Sequence, residues 1–412
     1  MSPPKNVKLV GTLADHILRD FLTRADQPYE WFDEESGREL LARHGVTEAG
    51  LPVVVIDDEI VLVRPTLEQL ADALGVRAPP KQTDYDVVIV GAGPAGLAAA
   101  VYAASDGLSV AVPERDVPGG QAAYTPRIEN YFGIDPLGPA MTGARLARIG
   151  GRQAEMFGAE LLLLRGAVES RPLEDGRHEV TLSTGEQLRA RALIGASGVT
   201  WRRLDVPGID DLLGRGVYFG AGRSEAPLLQ GRKVIVVGGG NSAGQAALHL
   251  AGYADRVTMI CRGPSLANSL SGYLLERIQA NDRIEVRLQS RVSAVAGDGR
   301  LEEVTIDGAE RLPADAMFIA IGGTPQTDWA AGHSLRRDQA GYLLTGPDLN
   351  TDGCAPADWP LERAPYALEA SVPGVFVAGD IRHGSVKRVA AAVGEGATAV
   401  AQIHPYLAGR HG

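Results

Sequence analysis

Two glycine-rich turns predict an α/β protein with two Rossmann-like dinucleotide-binding domains and a smaller α/β domain before them. The turns cover residues 91–96 and 238–243, and each follows an apolar strand and opens a helix. A polar stretch with two prolines, residues 78–83, separates the first 77 residues from the first turn, as an interdomain linker does. The 412 residues suffice for about two to four domains, so three fit the length.

The first 77 residues show short strands alternating with short helices. Strands are expected over residues 7–11, 29–32, 51–56 and 60–63, and helices over 14–24, 37–44 and 66–74. This order, with Pro52 entering the third strand, resembles the thioredoxin/glutaredoxin fold, in which a cis-proline stands at that place. The resemblance implies a thioredoxin-like α/β domain over residues 1–77.

That fold does redox work through a Cys-x-x-Cys at the start of its first helix, where the helix dipole lowers a thiol pKa. Here residues 11–16 read Gly-Thr-Leu-Ala-Asp-His, with no cysteine. The domain is therefore expected to lack dithiol activity. Two hypotheses stay open: a docking or regulatory module, or a packing or dimerisation appendage that binds no ligand.

The first glycine turn has the residues of a dinucleotide site. Gly91 makes the tight turn, Gly93 allows close approach of a pyrophosphate, and Gly96 allows close packing of helix on strand. The helix N-terminus then faces the phosphates with unpaired N–H groups and its positive dipole end. Glu114 follows the next apolar strand, where a carboxylate accepts hydrogen bonds from an adenosine ribose.

The second turn repeats the pattern after the strand that begins at Lys233. It reads Gly238-Gly-Gly240-Asn241-Ser242-Ala243, with alanine at the third glycine position, which the fingerprint allows. Two dinucleotide domains in one chain are most often combined for hydride transfer between a nicotinamide and a flavin. The sequence therefore predicts an oxidoreductase.

Composition narrows the class of protein further. The chain is 45% hydrophobic and 22% charged, and no apolar run is long enough to span a bilayer. A net charge of −11 without a Lys/Arg block argues against nucleic acid or an anionic membrane as partner. Two cysteines suit a reducing compartment, and no signal segment follows the N-terminus, so a cytoplasmic protein is expected. No metal-ligand spacing is found.

Several further segments follow one another in a specific order. Besides the two turns, they are Pro118–Gln121, Ile128–Tyr131, Leu193–Gly198, Asp205–Gly208, Phe318–Gly322 and Gly374–Asp380. Together they make the sequence resemble the thioredoxin reductase family of flavoproteins over residues 84–410. The resemblance implies an FAD-binding domain at 84–201 and 324–412, with an NAD(P)-binding domain inserted at 202–323. It also implies a homodimer and a swivel between these two domains.

The resemblance carries over to individual residues. For FAD it implies that the first glycine turn binds the pyrophosphate, that Glu114 binds the adenosine ribose, and that Gln121 and Asn130 lie beside the flavin. It also implies that Asp380 hydrogen-bonds the ribityl chain or the pyrophosphate, and that a helix opens at Arg388 beside the pyrimidine edge of the flavin. The full FAD set is Gly91, Gly93, Ala95, Gly96, Glu114, Gly120, Gln121, Asn130, Ser197, Gly198, Gly379, Asp380, Arg388, Val389 and Ala390. The nicotinamide nucleotide set is Gly238, Gly240, Asn241, Ser242, Ala243 and Arg262. A solvated basic pair is the alternative for Arg388 and Lys387.

The sequence departs from the family at its working dithiol. Where the family has a Cys-x-x-Cys before the second nucleotide strand, this chain has Arg223-Ser224-Glu225 and no cysteine. Ser224 and Glu225 can hydrogen-bond or relay a proton, and His383 is a further candidate general acid. Cys261 and Cys354 are too far apart in sequence and expected location for a working pair. The usual reduction of thioredoxin is therefore excluded.

The second departure concerns the nucleotide. Family members that use NADPH hold its 2′-phosphate with a cluster of arginines, of which Arg262 is retained while the next two correspond to Gly263 and Leu266. No acidic residue stands there to bind a free 2′-OH. NADPH is favoured slightly over NADH, and use of neither stays open.

These observations predict an FAD-dependent oxidoreductase that takes hydride from NAD(P)H and passes electrons from the flavin directly to an acceptor. One alternative is a flavoprotein that is reduced by a protein donor such as a ferredoxin. Under that alternative the chain has a redox protein as its partner. A second alternative is a flavin- or nucleotide-sensing regulatory protein without turnover.

Overall fold

The computed structural model of the chain describes residues 5–47, 50–135, 137–350, 356 and 358–409. Cys354 lies outside the described residues. The elements form three sheet-based units, which we treat as an N-terminal domain (residues 1–77), a first dinucleotide domain (84–201 and 324–412) and a second dinucleotide domain (202–323).

The N-terminal domain has a four-stranded sheet in the order β2-β1-β3-β4, with β1 parallel to β2 and antiparallel to β3. The Leu51–Pro52 peptide bond is cis, as the resemblance to thioredoxin-like folds implied. The elements are β1 (Val7–Val10), α1 (His16–Arg24), β2 (Tyr29–Phe32), α2 (Arg38–Arg43), β3 (Val53–Ile56), β4 (Ile60–Val63) and α3 (Leu67–Leu74). A short 3-10 helix, Leu13–Asp15, precedes α1.

The first dinucleotide domain has a sheet in the order β7-β6-β5-β10-β9-β8, and β21 pairs in parallel with the second half of β10. Its elements are β5 (Asp84–Val90), α4 (Pro94–Ser105), β6 (Val110–Glu114), α5 (Gly143–Met156), β7 (Glu160–Leu163), β8 (Ala167–Pro172), β9 (His178–Leu182), β10 (Gln187–Gly195), β21 (Val375–Val377) and α9 (Val389–Ala408). The strand β5 is nearly all buried because helices cover the sheet, as its continuous apolar run predicts.

The second dinucleotide domain is built on a parallel sheet in the order β12-β19-β13-β14-β15, beside an antiparallel sheet β16-β17-β18. Its elements are α6 (Ile209–Leu212), β12 (Val217–Phe219), β13 (Lys233–Val237), α7 (Asn241–Leu250), β14 (Arg256–Ile260), α8 (Gly272–Gln279), β15 (Ile284–Arg287), β16 (Val292–Ala296), β17 (Glu303–Ile306), β18 (Glu310–Pro313) and β19 (Ala316–Ile319).

Two chain crossings join the dinucleotide domains. The strands β11 (Val199–Trp201) and β20 (Gly323–Pro325) pair antiparallel at this junction. Along the chain, β11 lies between β10 of the first domain and β12 of the second. The strand β20 lies between β19 of the second domain and β21 of the first. The carboxyl ends of both parallel sheets therefore meet beside this junction, where ligands of open α/β sheets bind.

Candidate functional site

The first glycine turn is shaped by the close approach of its neighbours. Gly91 has φ of +105°, and a Cβ there would lie 2.7 Å from the carbonyl oxygen of Ala196. A Cβ on Gly96 would lie 1.8 Å from the carbonyl oxygen of Gly91. At Gly93, by contrast, a Cβ would meet nothing within 4 Å. The turn therefore packs tightly underneath and leaves open space at the residue assigned to a pyrophosphate.

Glu114 ends β6 at the edge of this turn. One of its carboxylate oxygens accepts the N–H of Ala92 at 2.7 Å, and the other accepts the N–H of Asp116 at 3.0 Å. Burial raises the pKa of Glu114, although both N–H groups oppose that shift by stabilising the carboxylate. The carboxyl group is thus held in a fixed orientation at the adenosine end of the site.

The second turn has the same construction. Gly238 has φ of +139°, and a Cβ there would lie 2.3 Å from the carbonyl oxygen of Ala320. Asn241 accepts the N–H of Ser271 at 2.8 Å through its side-chain oxygen, and the Ser269 hydroxyl donates to the Gly239 carbonyl at 2.6 Å. The loop after β14 therefore stabilises this turn through two hydrogen bonds.

Both turns open into a single cleft of about 1100 Å³ between the dinucleotide domains. Sixteen of the residues predicted from the sequence line it. They are Gly93, Ala95, Glu114, Gly120, Gln121, Ser197, Gly198, Gly379, Asp380, Arg388, Val389, Gly238, Gly240, Asn241, Ser242 and Arg262. Gln121 also donates its side-chain N–H to the Val199 carbonyl at 3.0 Å, which ties the cleft wall to the crossing strand β11.

Five other predicted cofactor residues do not line the cleft. Gly91, Gly96 and the buried Ala243 lie beneath the two turns, where their small size permits the close packing. Ala390 is the second residue of α9. Asn130 is exposed to solvent and lies outside the cleft lining, and its place beside a flavin stays a prediction.

The candidates Ser224 and Glu225 are buried away from the cleft. The Ser224 hydroxyl donates to the Glu225 carboxylate at 2.7 Å. Burial raises the pKa of Glu225 to about 7, and the charge of Asp20 in the N-terminal domain adds to that rise while Arg19 opposes it. These two residues therefore face the N-terminal domain, and a direct role at the cleft does not fit their position.

His383 is also outside the cleft lining. Its Nδ1 lies 2.8 Å from a carboxylate oxygen of Asp338, and 42% of its side chain is exposed. A general acid must reach the group it protonates, so this position does not support His383 as the acid of the cleft.

Two cations at the start of α9 line the cleft, and both side chains are also exposed to solvent. Lys387 donates to the Asp380 carbonyl oxygen at 2.5 Å, and its Nζ lies 4.4 Å from the ring centroid of Tyr342. Burial lowers the pKa of Lys387 and raises that of the Asp380 carboxyl. Arg388 stands at the N-cap of α9, whose N-terminus adds positive potential.

Arg291 is a cleft residue that the sequence analysis missed. It follows β15, and two backbone bonds attach this loop to the end of β14: Ser290 N–H to the Cys261 carbonyl at 3.0 Å and Gln289 N–H to the Gly263 carbonyl at 3.1 Å. Arg291 and Arg262 both line the cleft, and these bonds hold the loops that carry them side by side. The order β13-β14-β15 in a parallel sheet was the available signal, because residues after adjacent strands meet at one edge.

Cys261 is a single buried thiol behind the second turn. Its Sγ lies 3.1 Å from the Gly238 carbonyl oxygen, and burial raises its pKa to about 11. A thiol with a raised pKa is a poor nucleophile at neutral pH. Within the described part of the chain, there is no group of three or more His, Cys, Asp or Glu side chains placed to hold a metal ion.

None of the helices in the described ranges is both long and apolar enough to cross a membrane.

The chain is similar to several known proteins. The sequence pattern of the pyridine nucleotide-disulphide oxidoreductase family matches residues 85–396. A thioredoxin reductase of Listeria monocytogenes is 33% identical over 331 residues, which cover 78% of this chain and 94% of that protein. A component of the alkyl hydroperoxide reductase of Pseudomonas putida is 30% identical over 382 residues, covering 89% of this chain and 66% of that protein.

A crystal structure of T. acidophilum thioredoxin reductase matches the fold with a TM-score of 0.69. The two chains are 28% identical, and the match covers 79% of this chain and 99% of that one. The similarity thus spans both dinucleotide domains.

Proposed function

This chain belongs to the pyridine nucleotide-disulphide oxidoreductase family, and on that premise we propose that it is an FAD-dependent oxidoreductase reduced by NADPH. We propose further that its electrons pass from the flavin directly to an acceptor, without a dithiol. The observation that carries the proposal is the single cleft into which both glycine turns open. A nicotinamide nucleotide on one turn and FAD on the other would share that space.

The residues of the first turn fit FAD. Gly93 leaves space for a pyrophosphate at the N-terminus of α4, and Glu114 presents a fixed carboxyl group for a ribose. When bound, the flavin supplies the redox chemistry, accepting hydride from a nicotinamide and releasing electrons to the acceptor. The protein contributes binding, orientation and charge.

The N-terminus of α9 supplies the charge. Lys387 and Arg388 place two cations at one wall of the cleft, and the helix dipole acts in the same direction. Both charges would favour an anionic group held against that wall. Asp380, whose pKa burial raises, lines the cleft as well.

Arg262 and Arg291 support NADPH as the donor. Both arginines line the cleft on loops that are hydrogen-bonded to each other, and guanidinium groups suit the charge and geometry of a 2′-phosphate. In the described part of the chain neither guanidinium forms an ion pair, although the Arg291 backbone N–H donates to the Asp307 carboxylate at 2.9 Å. No carboxylate occurs among the cleft residues at 237–242, 260–269 and 290–292. The hydroxyl of Ser265 accepts the Ala267 N–H at 3.1 Å, so its hydrogen can be donated to the same phosphate.

The surface formed by the segment before β13 supports the proposal that electrons leave the flavin through the cleft. That surface is where the family carries its dithiol, and here it holds Ser224 and Glu225, covered by the N-terminal domain. Neither side chain can cycle between dithiol and disulfide. An acceptor must therefore reach the flavin through the cleft.

We also propose a homodimer that meets through α5. Ile149 and Met156 lie two turns apart on the outer face of this helix, with 42% and 72% of their surface exposed, and Phe157 beside them is 43% exposed. The cytoplasmic location expected from the sequence stays a prediction.

An anaerobic titration of the purified protein with NADPH, and separately with NADH, tests the proposal. We expect NADPH to bleach the flavin absorbance stoichiometrically and NADH to do so only at much higher concentration. A flavin that dithionite reduces but that neither nucleotide bleaches would contradict it, and would favour a protein donor or a sensor without turnover.

A further inference from the structure

Helix α1 of the N-terminal domain contacts both dinucleotide domains. Toward the first domain, the Arg24 guanidinium donates to Asp116 at 2.6 Å. Toward the second, the ring of His16 meets the edge of the Tyr218 ring with centroids 5.8 Å apart. A Cβ added to Gly214 would lie 2.1 Å from His16 Cε1, so the second domain approaches this helix closely.

Arg24 is the centre of the first of these contacts. Its side chain is only 9% exposed, and its Nε donates to Asp20 at 2.8 Å. Its guanidinium carbon lies 5.0 Å from the ring centroid of Tyr124, whose hydroxyl donates to Asp20 at 3.4 Å. Arg24 itself lines the cleft, so the N-terminal domain contributes a residue to the wall of the nucleotide site.

The two partners of Arg24 in the first dinucleotide domain belong to that wall as well. Asp116 donates its backbone N–H to Glu114, the acid at the adenosine end. Tyr124 packs edge-on against Trp201 of the crossing strand β11, with ring centroids 5.4 Å apart. Arg24 therefore joins the adenosine end of the cleft to the junction between the two dinucleotide domains.

We infer that Arg24 is a positioning residue through which the N-terminal domain holds the two dinucleotide domains in the arrangement with one shared cleft. The inference rests on the proposed function insofar as that cleft binds FAD and NADPH. Its consequence is that hydride transfer needs no rotation of one dinucleotide domain against the other, in place of the swivel that the family resemblance implied. The N-terminal domain then serves as a clamp rather than as a redox partner.

The contacts explain why such a rotation is disfavoured. Moving the second dinucleotide domain would separate Tyr218 and Gly214 from His16, or pull α1 away from Asp116. The latter change would break the ion pair between the buried Arg24 guanidinium and Asp116, and Arg24 would keep only its pair with Asp20 on the same helix. A second ion pair, between Arg148 of α5 and Asp26 at 2.5 Å, opposes the same movement.

Hydrogen exchange of the full-length, FAD-loaded protein tests this inference without reference to turnover. In wild type we expect the backbone of residues 116–124 and 214–229 to be protected. Arg24→Met removes both ion pairs at similar length, and we expect exchange in these two segments to rise by about ten-fold or more. Arg24→Lys, which keeps the charge and loses the planar fork, should have an intermediate effect.

The matched control is Arg43→Ala, which removes an exposed arginine of the same domain that pairs with Glu39 of its own helix at 3.6 Å. It should leave both segments unchanged. If Arg24→Met does not fold, Asp116→Asn removes the partner from the other side and should raise exchange in the same segments. Faster exchange confined to residues 5–77, or no change outside them, would overturn the inference while leaving the proposed donor and cofactor intact.

Discussion

A Cβ on Gly96 would lie 1.8 Å from the carbonyl oxygen of Gly91, so α4 and the turn that precedes it touch through backbone atoms alone. This contact fixes the N-terminus of α4 beneath the open space at Gly93, where we place the pyrophosphate of FAD. The position of the phosphate site thus depends on two residues that do not line it.

We predict that Gly96→Ala abolishes FAD retention. The methyl group must displace the Gly91 carbonyl, which distorts the turn and moves the helix N-terminus away from the phosphates. The ratio of flavin to protein absorbance after purification measures this directly. Gly150→Ala is the matched control, because its Cβ would meet Leu97 only at an ordinary 3.8 Å; it should keep full flavin content and gain up to about 1 kcal/mol in helix stability. Equal flavin content in both variants would contradict the assignment.

We predict that Arg291→Ala weakens the preference for NADPH. Losing one charge-assisted bond to a 2′-phosphate should raise the dissociation constant of adenosine 2′,5′-bisphosphate about ten- to a hundred-fold while leaving that of 5′-AMP unchanged. Isothermal titration measures both. Arg300→Ala, an exposed arginine of the same domain outside the cleft, should change neither constant. An unchanged ratio of the two constants in Arg291→Ala would remove this residue from the nucleotide site.

We predict that Glu225→Gln makes stability less dependent on pH. Burial raises the folded-state pKa of Glu225 to about 7 from an ordinary 4.5, so the folded protein holds a proton that the unfolded chain releases. The bound proton stabilises the wild-type fold fully below the pKa of Glu225 in the unfolded chain. This stabilisation is lost as pH rises from about 4.5 to about 7. Urea unfolding at pH 5 and pH 8 should show the variant gaining up to about 3 kcal/mol relative to wild type at the higher pH.

Glu302→Gln is the control for this measurement, because Glu302 is an exposed carboxylate of the same domain. It should follow the wild-type dependence at both pH values. A Glu225→Gln variant that parallels wild type across this range would show that the carboxyl is ionised normally in the fold.

We predict that Met156→Glu shifts a dimer toward monomer. Met156 is 72% exposed in the apolar face that we assign to the dimer contact, and a buried unpaired carboxylate there would be strongly unfavourable. Light scattering after size exclusion gives the mass at several concentrations. Val168→Glu, at an apolar residue of the same domain that is 53% exposed on β8, should leave the mass unchanged. A wild-type monomer at all concentrations would refute the proposed dimer.

Much of the fold could be predicted from local patterns. The glycine turns, the strands before them and the acid at Glu114 lie within short stretches of chain, where a residue's role follows from its neighbours in sequence. The elements of the N-terminal domain agree to within about two residues for the same reason. The cis bond at Pro52 came from a resemblance and not from the residues themselves.

The rest of the site depends on distant segments that local patterns do not connect. Arg291 comes near Arg262 because backbone hydrogen bonds join the loop after β15 to the end of β14. Arg24 reaches the cleft because the N-terminal domain packs beside it. Ser224 and Glu225 were placed near the chemistry by analogy with a dithiol, yet the N-terminal domain buries them. Sequence spacing carries no information about which domain covers a surface.

An anaerobic titration with dithionite tests most directly whether the flavin works without a dithiol. With flavin as the only redox centre, we predict complete bleaching after about one two-electron equivalent per FAD. Cys261→Ser should take up the same amount, because Cys261 is a free, buried thiol and forms no disulfide within the described part of the chain. Uptake of about two equivalents per FAD, as for a flavin coupled to a disulfide, would contradict the account.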